Sequence, residues 1–96
     1  MLEKMTAATF SEHLNTKFHL HLPSSETLEL ELIGVDDLGL TDRQERFSLI
    51  FRGPIEYPLP QATYEMVHDK LETFDLFIVP ISRDEDGLRY EAAFNR

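Results

Sequence analysis

The stretch from residue 73 to residue 81, Thr-Phe-Asp-Leu-Phe-Ile-Val-Pro-Ile, constrains the fold most, because it is apolar on both faces of an extended strand. Side chains alternate across a strand, so each face receives every second residue. The two faces carry Phe74, Leu76 and Ile78, and Phe77, Val79 and Ile81. The pattern predicts a central strand that is covered on both sides.

The chain of 96 residues is predicted to form one domain over residues 1–96. A chain of this length buries roughly 60 to 65% of its unfolded surface, enough for a core without disulfides. There is no cysteine, which excludes disulfides and thiolate chemistry and agrees with a reducing compartment. Neither a signal-peptide core nor an apolar run of about 18 residues is present, so a cytoplasmic protein without membrane contact is expected.

The charge balance restricts the partners. Eighteen acidic against nine basic side chains give a net charge of −9. A negative field repels phosphate backbones, so nucleic acid is not predicted as a partner. Another protein, of basic character, suits this field better.

Period-two alternation predicts six strands, and the short connections between them favour antiparallel neighbours. A polar connection is expected over 34–45 and an Asp-Gly hairpin turn over 84–87. The predicted fold is therefore mainly β: a six-stranded antiparallel small barrel or roll over 17–95, with one short N-terminal helix. The strands are predicted at residues 17–22, 28–33, 46–52, 63–68, 73–81 and 88–95.

A stripe of Ala7, Phe10 and Leu14 predicts a helix over residues 5–14. Two start signals compete: Thr6 as N-cap, or a capping box of Thr9 with Glu12. Asn15 suits the left-handed conformation that ends a helix.

This helix stripe, with Met5, is predicted to cover the second face of the sheet. The alternative cover is a second copy of the chain, so the predicted state is monomer or homodimer. The face to be covered carries Ile50, Val67, Phe77, Val79 and Ala93.

Histidine and glutamate face each other across the first predicted hairpin if its leucines pair, Leu20 with Leu30 and Leu22 with Leu28. Two imidazoles with a carboxylate can bind zinc. Solvent-exposed cross-strand pairs are the simpler interpretation, so neither a metal site nor a cofactor is predicted. The residues concerned are His21 across from Glu29 and His19 across from Glu31. His68 beside Asp69 could act as a general base, but a residue that faces solvent or caps a turn is the preferred interpretation.

Two loops are candidates for partner binding. Asp36, Asp37 and Asp42 form an acidic group for a basic partner, and Tyr57, Pro58 and Pro60 form a proline-containing recognition loop. The alternatives are solvation of an ordinary loop and prolines that protect a sheet edge.

Four segments in the second half of the chain carry a recognisable pattern: Phe-Ser-Leu-Ile-Phe-Arg-Gly-Pro at 47–54, Leu-Pro-Gln-Ala-Thr-Tyr at 59–64, the segment 68–80 and Tyr-Glu-Ala-Ala-Phe-Asn at 90–95. Through these segments the chain resembles the small bacterial domain family DUF6916. Ala62 and Glu72 stand where the family pattern has glycines. The family has no known function, so the resemblance implies a shared fold and a bacterial source and transfers no catalytic residue.

Three functional hypotheses follow, and a protein without enzyme activity is the preferred interpretation. The first is a non-enzymatic protein-interaction or accessory module that could belong to a larger or phage-tail-like assembly. The second is a barrel that binds an apolar ligand among its phenylalanines. The third, a metal-dependent hydrolase around the histidines, ranks last. The phenylalanines of the second hypothesis are Phe18, Phe47, Phe51, Phe74 and Phe94.

Overall fold

The computed structural model describes residues 5–40 and 45–95. One short helix precedes six strands in chain order. The elements are α1 (Ala7–Ser11), β1 (Lys17–His21), β2 (Thr27–Leu40), β3 (Glu45–Gly53), β4 (Ala62–Val67), β5 (Phe74–Asp84) and β6 (Gly87–Asn95).

The six strands form a single antiparallel sheet that closes into a barrel. The order around the barrel is β1, β2, β3, β6, β5, β4, and β4 pairs with β1 to complete the ring. This confirms the predicted fold class and selects the barrel over the open roll. Closure gives every strand two neighbours, which removes the long unpaired edges of an open sheet.

Helix α1 begins with a reciprocal cap between two threonines. The Thr6 hydroxyl accepts from the Thr9 backbone N–H at 3.2 Å, and the Thr9 hydroxyl accepts from the Thr6 N–H at 3.2 Å. Thr6 is therefore the N-cap, and the alternative box of Thr9 with Glu12 is wrong. The helix is shorter than the predicted 5–14 because the chain turns after Glu12, where Asn15 takes the expected left-handed conformation with φ of 64°.

Helix α1 closes one end of the barrel instead of covering the outside of the sheet. Phe10 is fully buried, with its ring centroid 6.0 Å from Phe47, 6.2 Å from Phe74 and 5.8 Å from Phe94. These three rings point into the barrel, so the predicted cover of the outer face is wrong. An aromatic ring that is enclosed by other rings buries more of its apolar surface than one that lies on the outside of a sheet.

The outer face of β5 stays open to solvent. Phe77 is 50% exposed and Ile81 is 49% exposed, although Phe74, Leu76 and Ile78 are buried. The expectation of a strand covered on both sides is therefore wrong for the described chain. The pairing of β5 with β6 shifts register between Pro80 and Ser82, next to a proline that has no N–H for the ladder.

Strand β2 is longer than the sequence predicted. It runs through the segment expected to be a polar connection and pairs with β3 as far as Leu40 opposite Glu45. Two register shifts, between Leu32 and Gly34 and between Asp37 and Gly39, interrupt the ladder. These irregularities break the period-two pattern from which a strand is recognised.

The first hairpin keeps the predicted faces but pairs two residues away from the predicted register. Leu20 lies opposite Leu28, and Phe18 takes the place opposite Leu30. Moving a strand by two residues leaves every side chain on its own face, so leucine alternation alone cannot distinguish the two registers. The outer pairs are His19 with Glu29, Lys17 with Glu31 and His21 with Thr27.

The hairpin between β5 and β6 has the predicted two-residue turn. Asp84 pairs with Gly87, whose φ of 141° suits glycine. A Cβ atom on Gly87 would lie 2.4 Å from the carbonyl oxygen of Gly53. The close approach of these two backbones requires glycine at the end of the turn.

Candidate functional site

An open groove lies on the barrel surface where β1 ends and β4 begins. Its volume is about 690 Å³, and its walls are mainly apolar. The described lining residues are His21, Leu22, Pro23, Ser24, Tyr57, Leu59, Pro60, Ala62, Thr63, Tyr64 and Glu65.

The groove exists because β1 leaves the sheet before β4 does. The ladder between these strands ends at His21 opposite Glu65, while β4 continues to Ala62 with only β5 beside it. Leu22 turns away, donating its N–H to the Glu26 carbonyl at 2.8 Å and accepting from the Ser25 N–H at 2.9 Å. The next residue, Pro23, has no N–H with which to continue a ladder.

The opposite wall is the irregular segment 54–61, which is tied to the barrel by two tyrosines. The Leu59 N–H donates to the Tyr90 hydroxyl at 2.9 Å, and the Tyr64 hydroxyl donates to the Pro60 carbonyl at 2.7 Å. Leu59 and Tyr90 are buried, and burial raises the pKa of both Tyr90 and Tyr64, so both phenols stay neutral near pH 7. These bonds hold the wall in place.

The exposed part of the groove is aromatic and weakly acidic. Tyr57 is 42% exposed at the rim. Glu65 lies at the other side, where its Oε1 is 2.8 Å from Nδ1 of His21. Among the lining residues within 5–40 and 45–95, none is lysine or arginine.

The structure brings together only part of the predicted partner-binding set. Tyr57 and Pro60 line the groove, and Pro58 is exposed between them in sequence. Asp36 and Asp37 lie instead in the distant half of β2, as exposed strand residues, not in a loop. Asp42 lies outside the described residues.

The four residues weighed as metal ligands are divided among separate contacts. Neither predicted histidine–glutamate pair forms, and His19 lies opposite Glu29 instead. His21 pairs with Glu65, while Glu31 accepts from Arg52 at 2.6 Å, a hydrogen bond that lowers the pKa of Glu31. Within residues 5–40 and 45–95, no group of three or more His, Cys, Asp or Glu side chains could hold a metal ion.

A second cluster surrounds His68, which follows β4. His68 is buried and does not face solvent, and its side chain caps the turn that comes after it. Its Nδ1 accepts from the backbone N–H of Lys70 at 3.0 Å and of Leu71 at 3.3 Å. Its Nε2 lies 2.9 Å from the Thr16 hydroxyl, and the His13 ring lies 4.8 Å away between centroids. Both ring nitrogens are occupied by structural hydrogen bonds, which makes His68 a poor general base.

Sequence reasoning missed most of the groove. Leu22, Pro23 and Ala62 form its walls, yet each reads as an ordinary hairpin or strand residue. The available signal was the pair of prolines, Pro23 and Pro60, that flank two separate strand ends and stop regular pairing there.

The architecture defines a class: a small closed antiparallel β-barrel that is plugged by an N-terminal helix and bears an open apolar groove on its side. In the described part of the chain, no helix is long and apolar enough to cross a membrane.

The chain belongs to the family DUF6916, a domain of unknown function, whose model matches residues 5–94. No curated protein and no solved structure matches the chain.

Proposed function

We propose that this protein is a non-enzymatic interaction module that binds an extended, apolar segment of another protein in the groove beside β1 and β4. The observation that carries the proposal is the groove itself, which combines apolar walls, the exposed ring of Tyr57 and walls held by hydrogen bonds. Exposed aromatic rings in a preformed apolar groove supply binding energy at low entropic cost.

Charge favours a segment that carries lysine or arginine beside its apolar residues. The chain has a net charge of −9. Glu65 lines the groove and Glu56 is exposed next to Tyr57. A basic side chain in the partner would face these carboxylates, and like charges would oppose an acidic segment.

The interior of the barrel offers less support for a ligand. The Phe47 and Phe94 rings stack with centroids 4.4 Å apart, and Phe18 lies 5.3 Å from Phe51. Phe10 is inserted among Phe47, Phe74 and Phe94. The phenylalanines of the apolar-ligand hypothesis thus contact one another, so no observation favours that hypothesis over groove binding.

The proposal includes a bacterial, cytoplasmic setting and a role as an accessory of a larger assembly. The bacterial source is what the resemblance described from the sequence implies, and the absence of cysteine agrees with a reducing compartment. An accessory module needs a binding surface and no catalytic residues, which agrees with the groove described above.

A peptide selection tests the proposal. A display library of random peptides of about nine residues, sized to span a groove of this kind, is selected on the immobilised full chain. The enriched peptides are then synthesised and their binding is measured by fluorescence anisotropy. We expect peptides with alternating apolar and basic residues, and a loss of affinity of about tenfold with Tyr57→Ala.

Phe77→Ala is the matched control, because Phe77 is a similarly exposed aromatic residue on the outer face of β5. It should leave the affinity unchanged. Equal losses with both variants, or no enrichment above that on an unrelated β-barrel, would contradict the proposal. Selection of peptides that contact Phe77 instead would place the binding surface on the outer sheet face.

A further inference from the structure

The backbone directions along β1 show which residue of β4 has an unused hydrogen-bonding edge. The carbonyl of Thr16 accepts from the N–H of Leu32 in β2. The N–H and carbonyl of Leu22 bond to Glu26 and Ser25, in the turn that joins β1 to β2. Successive residues of a strand direct their backbone groups to opposite neighbours. The even-numbered residues of β1 therefore face β2, and His19 and His21 face β4.

The same alternation applies to β4. Since His21 directs its backbone toward β4, its pair with Glu65 is a hydrogen-bonded pair. Thr63, two residues from Glu65, directs its N–H and C=O to the same side. The position opposite Thr63 would belong to Pro23, but the chain has already turned into the hairpin at Leu22. Thr63 thus presents a backbone donor and acceptor to the groove.

The side-chain directions at this edge match the chemistry of the groove. Tyr64 is buried toward the barrel interior and contributes, with Leu22 and Leu59, to the apolar base. Thr63 and Glu65 point outward and are exposed. A strand laid beside β4 would alternate in the same way, with one set of side chains on the apolar base and the other beside Glu65.

We infer that the partner segment binds by strand addition. It lies beside β4 where β1 has left the sheet, and it pairs its backbone with Thr63. This inference rests on the proposed function and specifies its recognition mode. The occupant is an extended segment of another protein with apolar residues at alternate positions and a basic residue on the Glu65 side. Backbone pairing gives affinity without sequence, while the groove selects the alternate side chains.

A segment from a second copy of this protein is a less suitable occupant. The unused edge is short because β4 pairs with β1 again from Glu65 onward. Short edges flanked by proline resist pairing between copies. A second copy would also bring the same net charge of −9 to the interface.

The first test changes the peptide. The tightest peptide from the selection is resynthesised with a single backbone N-methyl group at each position in turn, and the affinities for the full chain are compared. N-methylation removes one N–H donor and adds bulk on that edge. We expect a loss of about tenfold or more at the one position whose N–H donates to the Thr63 carbonyl, and little change at the neighbouring positions.

The second test changes the protein. Thr63→Pro removes the N–H that faces the groove and spares the bonds of β4 to β5, because those use the neighbouring residues. We expect a folded protein whose affinity for the unmodified peptide falls about tenfold. Thr63→Val is the control that alters the side chain and keeps the N–H, and its affinity should be unchanged.

The outcomes separate the two proposals. A uniform response to N-methylation, with Tyr57→Ala still weakening binding, would overturn strand addition and leave the groove as the binding surface. If Thr63→Pro does not fold, the N-methyl series decides alone. Loss of strand addition together with insensitivity to Tyr57→Ala would overturn both.

Discussion

His68 is held as a neutral imidazole by the hydrogen bonds around it. Two backbone N–H groups donate to Nδ1, so Nδ1 carries no proton. The Thr16 hydroxyl donates to the carbonyl of His13 at 2.6 Å and is therefore free to accept from Nε2. Burial, then the neighbouring His13, lowers the pKa of His68.

We predict an acid-sensitive stability that depends on His68. The folded-state pKa of His68 lies below the usual histidine value of 6.5, so the unfolded chain binds more protons in the interval between the two pKa values. The contribution of neutral His68 to the free energy of unfolding is fully present above about pH 6.5. It is lost as the pH decreases through that interval to the lowered pKa. Urea unfolding at a series of pH values between about 7.5 and 4.5 measures this loss.

The charged groups near His68 set the size of the effect. Asp69 favours the charged ring, while His13, His19 and Lys70 oppose it. His68→Asn retains a side-chain acceptor for the turn and cannot titrate, so its stability should decline less over this range. His21→Gln, at an exposed pair, is the matched control. Identical profiles for wild type and His68→Asn would contradict the assignment.

At the scale of elements, α1 acts as a plug for the barrel. Its five residues are too few for a stable isolated helix, so its stability comes from packing. The packing is concentrated in Phe10, which is fully buried among three rings. The segment after the helix adds a backbone bond of 2.7 Å from Asn15 to Leu32 of β2.

We predict that Phe10→Ala lowers the free energy of unfolding by about 3 to 5 kcal/mol, because it leaves a cavity at the end of the barrel. Chemical denaturation followed by circular dichroism measures the change. Leu14→Ala is the control on the same segment, since Leu14 is 37% exposed, and should cost less than about 1 kcal/mol. Equal costs for both variants would show that α1 does not act through Phe10.

At the scale of the whole molecule, a net charge of −9 is held on a barrel of 96 residues. The described ion pairs, such as those of Glu31 with Arg52 and of Asp84 with Arg89, are already counted in this balance and leave the excess of negative charge unchanged. Exposed pairs contribute little, and the remaining like charges repel across the compact state.

We predict that salt stabilises the protein. Raising sodium chloride from about 10 mM to about 150 mM shortens the screening length from about 30 to about 8 Å and should raise the thermal midpoint by a few degrees. Glu85→Gln, in the exposed hairpin turn, removes one negative charge and should reduce the salt effect. A midpoint that falls with added salt would mean that the ion pairs outweigh the repulsion.

The elements that the sequence predicts well are those with a local signal. Alternation identifies β1, β3 and β6 and the buried face of each, and the Asp-Gly pair identifies the turn between β5 and β6. The helix stripe identifies Phe10 as a buried anchor. Each of these signals lies within a few residues, where strand or helix geometry relates sequence spacing directly to direction.

The candidate site was predicted only in part because it joins distant segments. Tyr57 and Pro60 were recognised from their own loop. The groove also needs Pro23, which ends one strand, and Thr63, which lies in another. The free edge of Thr63 follows from the barrel order, and nothing near it in the chain reveals which strand is its neighbour.

Local signals in the sequence thus specify a six-stranded antiparallel β fold preceded by one short helix, since period-two alternation and turn residues act locally. The tertiary structure decided the register of the first hairpin, the length of β2, the position of α1 and the groove. A shift by two residues preserves every face, and a helix stripe specifies that it is buried but not where. Those choices depend on packing between segments far apart in the chain.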